Sequence, residues 1–303
     1  MYFIKTVNFM NTYQELKMKI FATGSKVNLL IAINVAIFLV FGVFNVVEYL
    51  FTKQNNINVF VREYLAVPTY LPKLLYRFWT PFTYMFLHAG FFHILFNMLW
   101  LYWMGRIFEN FLSSKKLLFV YIAGGLAGAF LYILSFNIFP AYADARVVSA
   151  AVGASASVTA ILIACATLVP NYTIFLMFLG PVKLKWIALF YLVIDILGIT
   201  GDNAGGYLSH IGGAIFGFVF IKALQNGNDW SKPFENLFKP KPKLKVVSRN
   251  QPTKSRYIKS DIPNQAVIDS ILDKISKNGY NNLTATEKET LFKASAQHEE
   301  KEK

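Results

Sequence analysis

Three histidines and one serine stand in or beside stretches that are nearly free of formal charge: His88, His93, His210 and Ser155. Inside a bilayer such groups are costly, so a functional role is the first explanation to weigh. Ser155 follows Gly153-Ala154 where a run of small residues (147–154) gives way to a sustained apolar segment. A serine there would head a helix, whose first backbone N–H groups lack intrahelical acceptors and supply the raw material of an oxyanion hole. His210 follows the flexible stretch Gly201–Gly206, and Gly206, Gly213 and Gly217 lie on roughly its own helix face. A glycine stripe lets two helices approach closely, bringing an imidazole to a hydroxyl, the pairing that activates a serine nucleophile. His93 and Asn97 are four residues apart and so share one face of a second helix.

Each feature also has an ordinary explanation. A membrane serine usually bonds back to a carbonyl one turn earlier, and a small-residue stripe usually only packs. A histidine near an interface is more often structural than catalytic. Ser157 is a rival nucleophile, but it lies on another helix face and has no glycine two residues before it. His298 sits in a charged, solvated tail. Asp195, near the end of a short apolar segment, could be a third triad member or merely a polar group at the outer end of its helix; the structural role is favoured.

The elements that must position these residues follow from composition. Hydrophobic residues make up 55% of the 303 and charged ones only 16%, against roughly a quarter charged in soluble domains. That balance predicts an integral, multi-pass membrane protein. The net charge of +13 lies mostly outside the apolar stretches, where an anionic membrane surface explains it better than nucleic acid. The single cysteine, Cys165, excludes an intrachain disulfide. No small-residue cleavage site follows the N-terminal segment, so no removable signal peptide is expected.

A spanning helix needs about 20 apolar residues, and six candidates run Val27–Val47, Phe86–Gly105, Leu117–Phe139, Ser155 to the Pro170-Asn171 stop, Trp186–Ile199 and Tyr207–Ile221. Gly124 and Gly128 of the third are spaced for close helix contact. Residues 48–79 are mixed and predict a structured loop with a helix lying in the interface. Basic residues cluster in the N-terminal segment, in the loops after spans two and four (Arg106, Lys115, Lys116; Lys183, Lys185) and in the C-terminal tail. With six spans these share one side, predicting cytoplasmic termini and a bacterial-type inner membrane; the basic first loop is a mild violation.

The expected organisation is a cytosolic segment 1–26, a membrane domain 27–224, a linker 225–260 and an appendage 261–303. Lys239–Lys259 carries eight basic residues and no acidic one, the signature of a disordered linker that hugs anionic lipid. In the appendage, Val267, Ile268, Ile271, Leu272 and Ile275 form one helical face. Pro263 would fall in that helix's first turn, Gly279 would close it, and Thr284-Ala-Thr-Glu287 resembles a capping box. The unpartnered apolar face suggests a cytosolic partner for residues 261–303.

Taken together, these residues resemble the rhomboid family of intramembrane proteases. Tyr76-Arg77-Phe78-Trp79-Thr80 resembles its Trp-Arg loop motif, followed by His88, His93-Ile-Leu-Phe-Asn97, Gly105-Arg106 and Glu109. Gly153-Ala154-Ser155 is similar to its nucleophile motif, and His210-Ile-Gly-Gly213-Ala-Ile-Phe-Gly217 to its base helix. The likeness covers roughly residues 28–222. Tyr76 replaces the usual Trp, and Ala156 and Ser209 stand where Gly and Ala are common; none of the three is a catalytic group.

The resemblance implies an all-α, six-helix bundle and a Ser155–His210 dyad working through an acyl-enzyme. His93, Asn97 and the Ser155 backbone N–H would surround the oxyanion. It also implies that helix packing orients the histidine, so Asp195 is not required. Arg77, His88, Glu109, Gly153, Gly213 and Gly217 become structural motif positions. Substrates would be single-span membrane proteins cut near the outer face, with neither metal nor cofactor. Two rivals remain: a catalytically dead relative that binds transmembrane segments, which would have lost the serine or histidine, and a proton-relaying transporter, for which no internal repeat is visible.

Overall fold

The structure, a computed structural model, describes residues 24–176, 179–237 and 265–301. It divides into two units, Met1–Pro240 and Lys241–Lys303. The first contains a helix at each of the six expected places: α1 (Lys26–Thr52), α2 (Phe91–Phe111), α3 (Ser114–Ile138), α4 (Ser155–Leu168), α5 (Leu184–Gly198) and α6 (Ala204–Gln225). Of these, α1, α3 and α6 are long and apolar enough to cross a membrane; a fourth span results if α2 is counted with Thr80–Phe86, from which it is bent by 92°. Large apolar side chains such as Leu39, Phe44 and Phe51 on α1 and Phe190 and Leu197 on α5 are exposed, as surfaces meant for lipid must be.

α4 forms the centre of the bundle. Every residue from Ala156 to Ala166 is buried, and α3, α6 and α2 surround it. The closeness of these contacts comes from missing side chains. A Cβ on Gly213 would sit 2.1 Å from the Ala156 carbonyl oxygen, and one on Gly217 would sit 2.2 Å from that of Ala160. α6 therefore touches α4 backbone to backbone. Gly124 and Gly128 bring the α3 backbone against side-chain methyl groups of α4, where an added Cβ would meet Ala160 and Ala156 at 2.3 and 2.5 Å.

The expected second span starts later than the sequence pattern indicated. Gly90 is fully extended at φ −176° and caps α2 at Phe91, so residues 87–90 break the helix and His88 lies in the break. The first loop is structured, with short helices Asn56–Phe60, Leu71–Tyr76 and Thr80–Thr83 and a π-helical turn Val61–Leu65. Strand β1 (Val67–Pro68) pairs antiparallel with β2 (Ala150–Ala151), tying this loop to the chain just ahead of α4. The Thr69 hydroxyl donates to the Arg146 carbonyl at 2.6 Å, and Asn137 donates to the Thr69 carbonyl at 2.8 Å. Between α4 and α5 the chain makes a hairpin of β3 (Thr173–Leu176) and β4 (Gly180–Lys183) that periodicity did not announce.

Past α6 the chain was expected to begin a linker. Instead, residues 229–235 fold back onto α3. Lys116 bonds Asp229, Ser231 (2.9 Å) and Glu235 (3.3 Å), and Phe234 packs on Phe119 with ring centroids 5.7 Å apart. Burial works against the Asp229 charge, but Lys116 and Ser231 more than offset it and hold the carboxyl below the usual carboxylate range. The basic stretch Lys239–Lys259 and Pro263 lie outside the described residues.

The second unit holds α7 (Gln265–Asn278) and α8 (Ala285–Lys301). Gly279 closes α7 at φ +75°, its N–H bonding the Ile275 carbonyl at 2.9 Å. The capping box forms reciprocally: the Thr284 N–H donates to Glu287 at 2.8 Å and the Glu287 N–H to the Thr284 hydroxyl at 3.4 Å. With the backbone bond to Thr284 and the Lys274 contact, the Glu287 carboxyl is lowered to about 2.

Candidate active site

Ser155 is the first residue of α4, so the free N–H groups of that terminus surround its side chain. The preceding turn depends on Gly153, whose φ of +141° other residues rarely adopt. Space also reserves the position: a Cβ there would lie 3.0 Å from His93 Nε2 and 3.4 Å from Ser155 Oγ. The His93 ring and the Ser155 hydroxyl thus converge on one glycine. His93 Nδ1 accepts the Ala89 N–H at 3.3 Å, which leaves the proton of a neutral ring on Nε2, the nitrogen facing Gly153. Asn97, buried one turn further along α2, spends one amide proton on the His93 carbonyl at 2.8 Å and keeps the other available.

A cavity of about 420 Å³ is lined by Ser155, His210, His93 and Asn97, together with Thr159, Tyr191, Trp100 and Phe96. Its lining combines a few polar groups with several aromatic rings, the composition expected of a site that receives an apolar segment and polarises one bond within it. A neighbouring cavity of about 580 Å³ shares His93, Val152, Asn203 and Gly206 with it and adds Ser149, Thr200 and Asp202. The rival Ser157 is fully buried, against Gly125 and Met85, and does not line the cavity.

The environment of His210 departs from the sequence expectation. Its Nδ1 lies 2.8 Å from Asp195 Oδ1 and 3.5 Å from the Tyr191 hydroxyl, and the Tyr191 ring sits against the imidazole with centroids 5.7 Å apart. Asp195 is therefore not simply a polar group at the end of its helix. It is 2% exposed and faces His210. Tyr191 and Asp195 are four residues apart, and with Leu184 and Ala188 they lie on the face of α5 turned inward. That spacing was visible in the sequence and could have flagged Tyr191. The described hydrogen bonds of His210 are made through Nδ1, and none among the described residues joins it to Ser155.

The remaining motif positions hold the scaffold. Arg77 bonds the Glu63 carbonyl and carboxylate and lies 4.5 Å over the Tyr64 ring, so it braces the first loop. Lys73, then Arg77, hold the Glu63 carboxyl below its ordinary value. Glu109 accepts the Lys26 and Val27 N–H groups at 2.8 and 3.4 Å and the Ser25 hydroxyl at 2.7 Å. It places an anion at the N-terminus of α1, where the helix dipole favours one. His88 packs edge-on against His93 with centroids 5.1 Å apart. Among the described residues, no three of His, Cys, Asp or Glu cluster as metal ligands would.

Residues 76–226 match the family model described as Rhomboid domain. Residues 255–297 match a family of unknown function, DUF6576. The chain is 30% identical over 161 residues to RHOMBOID-like protein 12, mitochondrial, of Arabidopsis thaliana, covering 50% of this chain and 48% of that protein. It is 36% identical over 70 residues to Rhomboid protease GlpG of Salmonella choleraesuis, covering 23% of this chain and 25% of that protein. The matches therefore span about half the length of the first relative and a quarter of the second. The matched domain runs from the Arg77 brace through α2, α3, α4, α5 and α6, the elements that build the cavity, and the chain is a rhomboid-family protein.

Proposed function

We propose that this chain is an intramembrane serine endopeptidase that cuts transmembrane segments of other proteins by a Ser155–His210 dyad. The observation that carries this reading is one cavity lined by the hydroxyl, the imidazole and both candidate oxyanion donors, walled by aromatic side chains. His210 Nε2 takes the Ser155 proton as Oγ bonds to the scissile carbonyl carbon and the carbonyl π pair moves onto oxygen. His93 Nε2–H, the free Asn97 amide proton and the Ser155 N–H stabilise that oxygen. The protonated imidazole then delivers its proton to the departing amine as the C–N bond breaks. Water hydrolyses the acyl-enzyme, and the neighbouring polar cavity is its natural source.

α4, with 14 residues, would reach about 21 Å, short of a hydrocarbon core of roughly 30 Å. This supports a serine recessed from the membrane surface yet open to water from one side. We assign that side as the outer face, with six membrane passes and cytoplasmic termini in a bacterial-type inner membrane, because the loop charges favour that orientation. Substrates would be single-span proteins whose helices unwind readily at that depth, and the α7–α8 appendage would meet a cytosolic partner.

The test is cleavage of a model transmembrane substrate in liposomes, with fluorophosphonate labelling of Ser155. Wild type should cut and label, while Ser155→Ala and His210→Ala should do neither. A folded wild type that neither cuts nor labels would replace the protease reading with one of substrate binding alone.

A further inference from the structure

The burial of the Asp195 carboxyl needs an explanation. The side chain is 2% exposed on a largely apolar helix, and its Oδ2 has no hydrogen-bond partner among the described residues. A carboxylate so placed is expensive unless something pairs with it. Among the described ion pairs its only partner is His210, at 2.8 Å through Nδ1. The pairing is held from both ends. The turn between α5 and α6 is short, Ile199–Asn203, and the Tyr142 hydroxyl pins it by donating to the Ile199 carbonyl at 2.7 Å. At Gly198 a Cβ would lie 2.4 Å from the Tyr207 ring, so the end of α5 closes directly on the first turns of α6.

We propose that Asp195 is a positioning residue for His210. Resting on the Ser155–His210 reading above, it extends the dyad to a carboxylate–imidazole–hydroxyl triad. Asp195 Oδ1 accepts the Nδ1–H of the neutral imidazole, which fixes the tautomer with its lone pair on Nε2. When the Ser155 proton moves to Nε2, the ring becomes an imidazolium and the carboxylate beside it stabilises that charge. The proton later leaves from Nε2 to the amine, while the Nδ1 proton stays in place and Asp195 stays ionised throughout. Tyr191 packs against the ring from the same helix face, so α5 supplies both the steric and the electrostatic orientation of the base.

The experiment compares Asp195→Asn and Asp195→Ala with wild type in kcat, KM, thermal stability and the 15N spectrum of histidine-labelled full-length protein. The His210 signals are identified by their loss in His210→Ala. In wild type the neutral ring should carry its proton on Nδ1. In Asp195→Asn the amide can donate to Nδ1 and should move the proton to Nε2. The near-isosteric Asn variant should then be the more stable of the two but the slower, with kcat reduced about 100-fold or more and KM little changed.

A purely structural role predicts the reverse, with Asn close to wild type and Ala worse in step with its lost stability. That result would overturn the proposal, as would an unchanged tautomer or a kcat within about twofold of wild type in Asp195→Asn. If wild type cuts nothing, the protease reading fails separately. The tautomer measurement still decides whether Asp195 orients His210.

Discussion

Two seams meet at His210, and they are built differently. Where α6 meets α4, the contact is backbone against backbone, with Gly213 and Gly217 leaving no room for a methyl group. Where α6 meets α5, the contact is made by side chains, Tyr191 and Asp195 reaching the imidazole from a helix that otherwise exposes Phe190, Ile196 and Leu197. The first seam has only one close arrangement, because a helix pressed to van der Waals distance cannot slide or rotate without a clash. It therefore sets which residues share the cavity. The second seam, made by side chains, sets how one ring is oriented within the cavity.

The sharpest way to break the comparison is to remove the chemistry and leave both seams intact. Ser155→Ala should lower cleavage by at least about 10,000-fold without changing thermal stability; retained cleavage would move the nucleophile elsewhere. Removing an oxyanion donor is milder. His93→Ala and Asn97→Ala should each lower kcat by about 100- to 1,000-fold with KM nearly unchanged.

The seams themselves differ next. Gly213→Val places side-chain atoms where the Ala156 carbonyl stands 2.1 Å from an added Cβ. It should cost about 3 kcal/mol or more and abolish labelling of Ser155. Leu197→Ala, at an exposed position of α5, should stay within about 0.5 kcal/mol of wild type. Similar losses in unfolding measurements on the two variants would erase the distinction.

The smallest effect concerns the appendage. Glu287 has a folded pKa of about 2, below the ordinary carboxylate value near ~4.3. Its contribution is thus present above that ordinary value and is lost as pH falls through about 2. Amide exchange at the start of α8 in the full chain should accelerate over that interval, and Glu287→Gln should remove the dependence.

Much of the architecture was legible because membrane helices announce themselves locally. The helix at Ser155 begins where small residues give way to apolar ones and stops before Pro170, since both signals act within a few residues of the boundary. The glycines of α3 and α6 were read as contact faces, and Gly124, Gly128, Gly213 and Gly217 do press on α4. The capping box at Thr284 formed as spelled because its partners are three residues apart. The β3–β4 hairpin was not legible: its strands are short and sit inside a long uncharged run. The break at residues 87–90 was hidden for the same reason, since hydropathy measures transfer from water and not backbone direction.

By itself the sequence determined the apolar segments, their order, and the placement of Ser155, His93 and Asn97 at helix positions where N–H groups are free or aligned, because helical periodicity and chain termini are properties of neighbours. Only the tertiary structure decided that Asp195 faces His210 rather than the end of its own helix. α5 is apolar on nearly every side, so its pattern does not say which face turns inward. That rotation is set by how Gly198, Tyr207 and the short Ile199–Asn203 turn close α5 against α6, a contact that exists only once both helices are packed.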